Sequence, residues 1–139
     1  MMGGARENLR IEIYDLRFLP AMDKYILSER FVSLSLSLIS LYKTLPTEYE
    51  FEVIKKQIVR SSMSAGANYR AACRAKSTAD FIYKLKVVLE EIDETLYWLE
   101  ITERISSHEL LKDLQKETNE LIAIIVAAIN TSSNRSSKS

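Results

Sequence analysis

Residues 47–104, TEYEFEVIKKQIVRSSMSAGANYRAACRAKSTADFIYKLKVVLEEIDETLYWLEITER, decide the architecture of this chain. They hold two long apolar patterns separated by a turn. Phe51, Ile54, Ile58, Ser61, Ala65, Asn68 and Ala72 step by three and four along the first, and Phe81, Leu85, Val88, Ile92, Leu96 and Leu99 along the second. Side chains at that spacing share one face of a helix, so each segment predicts an amphipathic helix with a buried stripe. The first also carries Ser61-Ser62-Met63-Ser64-Ala65-Gly66-Ala67 at mid-span. Small side chains there let a neighbouring backbone come close, which predicts tight helix packing.

Three helix starts are marked alike: Thr47 before Glu50, Ser77 before Asp80 and Ser106 before Glu109. Each hydroxyl can accept a bond from the third amide of its helix, while the carboxylate complements the positive helix end. The last start leads into Leu111, Leu114, Thr118, Leu121, Ile125 and Ala128. Such heptad-like seams suit helices crossing at about 20° in a bundle. Residues 31–45 read two ways. Val32, Leu34, Leu36 and Leu38 alternate with serines as in a half-buried strand, yet Phe31, Leu34, Leu38, Leu41 and Leu45 also fit one helix face. A lone strand has no partner among three helices, so the segment is read as the first helix, closed by Leu45-Pro46. The fold class is all-α, a four-helix bundle over residues 22–130. Residues 1–21 show no helical period and are expected to form an extension outside the bundle, with Met22 as an internal start. The Ser-rich tail 131–139 is expected to be disordered.

Composition narrows the function classes. The 139 residues are 47% apolar, enough for one domain with a core, and nineteen basic residues balance nineteen acidic ones. No apolar run approaches the roughly 20 residues of a membrane span, and the N-terminus lacks a signal-peptide plan. The single cysteine, Cys73, forms no internal disulfide and fits a soluble protein of the reducing cytoplasm. The same scarcity argues against catalysis and cofactors. One histidine, His108, and one cysteine supply neither a zinc set nor a Cys-His pair. A di-metal bundle needs two Glu-x-x-His motifs, and three glycines make no phosphate loop. No catalytic residue, metal site or cofactor is expected.

The balanced total conceals a local imbalance. Residues 54–88 hold eight basic residues against Asp80 alone, whereas 89–103 hold six acids and no base. At about 100° per residue, Lys56, Arg60, Arg70 and Arg74 lie within about 80° of one another, opposite Ile58 and Ala65. With Lys76 and Lys84 they form a candidate nucleic-acid-binding face, expected to contact RNA or DNA weakly and without sequence preference. The alternatives are a solvated face, or arginines pairing with Glu90, Glu91, Glu94 or Glu100 of a neighbouring subunit. A second apolar stripe, Val32, Leu36 and Ile39 on the first helix with Tyr83, Val87 and Trp98 on the third, predicts an oligomer interface. Asn68, placed on the apolar seam, is expected to set helix register.

The run 59–77, VRSSMSAGANYRAACRAKS, followed by Asp80-Phe81-Ile82, resembles the four-helix-bundle proteins of the 23S rRNA intervening-sequence type. Arg60, Ser64, Asn68, Arg74, Ser77 and Phe81 match the pattern, and the likeness spans about residues 24–130. It departs at Gly66-Ala67, where the family more usually has Ile-Pro. The resemblance implies an up-down-up-down bundle, assembly as a homopentamer and no established catalytic activity. Some members are encoded within insertions in large ribosomal RNA genes. A related branch serves diversity-generating retroelements as an accessory protein that engages nucleic acid and a reverse transcriptase. The expected role is a non-enzymatic, oligomeric accessory factor. The alternative is a structural assembly subunit with a protein partner and no nucleic acid.

Overall fold

A computed structural model describes residues 21–138, which form four helices in an all-α bundle: α1 (Ala21–Thr44), α2 (Tyr49–Cys73), α3 (Thr78–Ile105) and α4 (Leu111–Lys138). The expectation for residues 1–20 lies outside the described residues. Short connections at 45–48, 74–77 and 106–110 force each helix back along its predecessor. Each helix packs on the next, most extensively α2 on α3, and α1 meets α4 least. The strand alternative for 31–45 is excluded, because Phe31, Leu34, Leu38, Leu41 and Leu45 are all buried on one helical face.

The interior follows the apolar periods with two shifts. On α2 the buried position is Tyr69 rather than Asn68, and on α3 it is Thr95 rather than Leu96. Asn68 is only half-buried, and its Nδ2 donates at 2.9 Å to the carbonyl oxygen of Ser64 on its own helix, so it sets no register between helices. Tyr69 takes its place because the ring stacks on Phe31 of α1, with centroids 5.2 Å apart and planes at 21°. Thr95 is accommodated because its hydroxyl donates to Glu91 O at 2.9 Å and lies 2.8 Å from the Ser61 hydroxyl, satisfying both buried groups. The small residues of α2 perform as read: a Cβ on Gly66 would stand 3.2 Å from Phe31 Cβ, so α1 approaches closely there.

Of the three expected caps, one forms as read. Ser77 accepts a bond from Asp80 N at 3.1 Å. α2 instead starts from Glu48, whose carbonyl accepts from Phe51 and Glu52 at 3.0 and 3.1 Å with no side-chain cap, so Thr47 stays outside. Burial of Leu45 and Phe51 on either side of Pro46 fixes that later start. Ser106 closes α3, its amide bonding to Thr102 O at 2.8 Å. His108 precedes α4 rather than lying in its first turn. Its Nδ1 accepts from Leu110 N at 3.1 Å and its carbonyl from Leu111 N at 3.2 Å, replacing the hydroxyl cap.

The C-terminal segment also departs from expectation. Residues 131–138 continue α4 instead of being disordered, because the stripe of Ile125, Ala128 and Ile129 extends to a fully buried Ser132. Ser137 Oγ returns a bond to Asn134 O at 3.0 Å.

The cap at α3 carries a pH prediction. Asp80 accepts from Lys84 Nζ at 2.9 Å, and this bond, with Lys76 nearby, holds its carboxyl below the ordinary value of 3.8. A depressed folded-state pKa contributes stability above the unfolded value and loses it as pH falls through the folded one. Asp80→Asn therefore removes that contribution at neutral pH, slightly lowering stability there, and flattens the acid limb so that the two proteins converge below about pH 4. Urea melts between pH 2 and 7 check this, and identical acid slopes for the two proteins would contradict it.

Candidate functional site

α2 is anchored by Phe51, Ile54, Ile58, Ala65 and Ala72, which turns Lys56, Arg60, Met63, Ala67, Arg70 and Arg74 outward. The basic face exists as a face, but its six candidates are not electrostatically alike. Arg60 is committed within the subunit: Nη1 lies 3.2 Å from Glu91 Oε2, Nη2 pairs with Glu94, and Nε donates to Gln57 at 3.1 Å. Thus the acid-rich half of α3 already neutralises Arg60 of α2 within the chain. Lys84 is held by Asp80. Arg70 Nε donates to Ser28 Oγ on α1 at 3.1 Å and meets no carboxylate among the described residues. Lys56, Arg74 and Lys76 are exposed and likewise make no ion pair among the described residues. Positive charge without an ion pair among the described residues therefore gathers where α2 turns into α3, at Arg70, Arg74 and Lys76, the last within the field of Asp80, with Lys56 separate near the other end of α2.

The second apolar surface is divided in the same way. Leu36 and Tyr83 are 59% and 66% exposed. Val32, Ile39, Val87 and Trp98 are half-buried. Trp98 packs on its own core with its indole N–H buried and lies edge-on to Tyr97, at 5.1 Å between centroids. Val32, Leu36 and Ile39 are joined by Met63, Gly66 and Ala67 of α2 around a groove of about 270 Å³, with Phe31 as its floor and Arg70 at its rim. The sequence patterns gave each half of this groove separately. Joining them required knowing that the small-residue stretch of α2 faces α1.

Two interior arrangements escaped the sequence reading. Arg30 of α1 donates to both carboxylate oxygens of Glu117 on α4, at 3.0 and 2.6 Å, with Glu120 Oε1 3.7 Å away. Lys55 is 4% exposed, lies over the Tyr42 ring at 5.0 Å and reaches Glu52 at 3.1 Å. Each charge sits one position from a core residue, Phe31 or Ile54, which is the one signal that could have flagged them. Cys73 is a free thiol at the end of α2, packed against the core. Burial, and secondarily that thiol, pushes the Tyr69 phenol far above its ordinary pKa, so it stays protonated. Among the described residues no three His, Cys, Asp or Glu side chains gather as a metal site, and no helix is long and apolar enough to cross a membrane.

Comparison with known proteins places these features. A family model described as 23S rRNA-intervening sequence protein matches residues 23–127. The chain is also similar to a crystal structure of a protein of unknown function from the S23 ribosomal protein family of Bacteroides thetaiotaomicron. Identity is 34% and the TM-score 0.69, over 77% of this chain and 97% of that one. No curated protein matches the chain.

Proposed function

Since the chain belongs to the 23S rRNA-intervening sequence protein family, we propose that it acts without catalysis, as a self-assembling bundle that binds nucleic-acid phosphate weakly where α2 turns into α3. The observation that carries this reading is the contrast among its cations. Arg60 and Lys84 are neutralised within the subunit, whereas Arg70, Arg74, Lys76 and Lys56 remain exposed and without ion pairs among the described residues. Repetition of that end by the symmetry of an oligomer multiplies phosphate contacts without requiring a high net charge. The groove between α1 and α2 supplies the apolar surface for self-association, and five copies is the number that the resemblance implies. The single cysteine suits a cytoplasmic setting.

Electrophoretic retardation of RNA and DNA in low salt tests the binding. The triple variant Arg70→Glu, Arg74→Glu, Lys76→Glu is expected to lose retardation, while Arg60→Gln retains it because Arg60 already serves Glu91 and Glu94. With about three phosphates neutralised per subunit, log affinity should fall with log salt at a slope of about −2 to −3 per subunit. Equal retardation by the triple variant refutes the site. The second reading, an assembly subunit with a protein partner and no nucleic acid, is favoured by the intrachain satisfaction of Arg60. Absence of retardation for the unaltered protein, together with assembly in light scattering, would establish it.

A further inference from the structure

Leu36 and Met63, at 59% and 48% exposure, form the edges of the groove between α1 and α2, and Arg70 stands at its rim. Gly66 and Ala67 line it between them, and their small side chains leave it open. Self-assembly through this groove needs a matching surface on a second copy. Resting on the self-assembly reading, we infer that the groove of one subunit receives Tyr97 from α3 of a second copy, with Asp93 of that copy set against Arg70. Copies then join head to tail, groove to ridge, and not groove to groove.

Three observations support this occupant. The first is exposed aromatic surface. Tyr83 and Tyr97 project from the outer face of α3 at 66% and 53% exposure. The Tyr97 ring stands edge-on to Trp98, which packs on the core, so part of its freedom is already spent before docking. The groove wall is apolar save for Ser35 and Arg70, which suits a ring with one polar tip. The second is charge. Asp93 and Glu100 stand one turn to either side of Tyr97 on the same helix face, both exposed and without an ion pair among the described residues. Tyr83 instead has Lys86 one turn on. Arg70 donates to a neutral hydroxyl, Ser28 Oγ, and meets no carboxylate among the described residues. A cation at the rim thus attracts the Tyr97 ridge in preference to the Tyr83 ridge. The third is register. With the second copy's α3 antiparallel to α2 and Tyr97 over Ala67, Asp93 falls about 6 Å along the contact and Arg70 about 4.5 Å in the same direction, at 1.5 Å per residue. Arg74 and Lys76 do not line the groove and stay open to phosphate. Groove and ridge lie on different helices, so every copy presents both and the contact repeats from copy to copy.

Disulfide trapping between full-length chains tests the contact. In a Cys73→Ser background, chains carrying Ala67→Cys with Tyr97→Cys are treated with oxidised glutathione and resolved on a non-reducing gel. A head-to-tail contact links them into a ladder longer than a dimer, at least about fivefold faster than chains carrying Ala67→Cys with Tyr83→Cys. Dimers alone, equal rates for the two pairs, or no links each overturn it. Charge reversal reads the ion pair without added thiols. Arg70→Asp and Asp93→Arg are each expected to raise the assembly midpoint in light scattering about tenfold, and the double variant to return it to within about threefold of the unaltered protein. A double variant no better than Arg70→Asp overturns the pairing. An unaltered protein that scatters as a single subunit at every concentration refutes the self-assembly reading and this contact with it. A protein that assembles with the midpoints of both single variants unmoved refutes the contact alone.

Discussion

Phe31→Ala is expected to lower the unfolding free energy by about 3–5 kcal/mol, the largest loss of any single side chain on α1. Phe31 is 1% exposed, stacks on Tyr69 at 5.2 Å and lies against Gly66, where α1 comes close to α2. The surroundings cannot collapse into the space, because the stacked Tyr69 ring is itself fixed by the α2 backbone and Gly66 has no side chain to move. For a domain of this size the loss corresponds to a fall in Tm of about 10–20 °C. Urea melts followed by circular dichroism measure it, with Tyr49→Ala as the comparison. Tyr49 is 82% exposed, and its removal should change stability by no more than about 0.5 kcal/mol. A cost below about 1 kcal/mol for Phe31→Ala would show that α1 does not dock on α2 as described.

Arg30→Ala is expected to cost about 2–4 kcal/mol, for a different reason. The side chain is 14% exposed and faces Glu117 and Glu120 across the α1–α4 seam, so its removal takes from the partly buried Glu117 carboxylate the cation that holds both its oxygens and from Glu120 a cation 3.7 Å away. α1 and α4 approach each other less closely than the other neighbouring helices, and the same seam carries Leu34 and Leu114 of the core. The cost measures an abandoned charge more than a favourable bond. Replacing the whole cluster, with Arg30→Met, Glu117→Leu and Glu120→Leu together, should recover most or all of it, because apolar residues of similar volume need no desolvated partner. Guanidinium chloride melts of the single and triple variants distinguish the two contributions. A triple variant no more stable than Arg30→Ala would mean that the ion pairs themselves hold α1 to α4.

Much of the bundle is written locally. The apolar stripes of Phe51 to Ala65, Phe81 to Ile92 and Leu111 to Ala128 are buried where the period placed them, and Ser77 caps α3 from its own position in the chain. Burial of a stripe depends on spacing alone, so it is legible without a tertiary partner. The misplacements occur where a neighbouring helix decides. Tyr69 displaced Asn68 because Phe31 offered it a stacking surface, and Thr95 displaced Leu96 because Ser61 stood opposite. The tail stayed helical because Ser132 continued a stripe that composition alone does not register.

The candidate site divides along the same line. Spacing put Lys56, Arg60, Arg70 and Arg74 on one face, since the angular position of a residue on a helix follows from its number. Which of those charges stay available is a property of what stands across from them: Glu91 and Glu94 occupy Arg60, while no carboxylate among the described residues reaches Arg70 or Arg74. The sequence by itself determined four amphipathic helices, the turn that joins α2 to α3, and the faces on which charge and apolar surface lie. Only the tertiary structure decided which cations are neutralised, that Arg30 bridges α1 and α4, and that Leu36 and Met63 line one groove. Coulomb and packing energies depend on distances between residues far apart in the chain, and those distances exist only once the helices have docked.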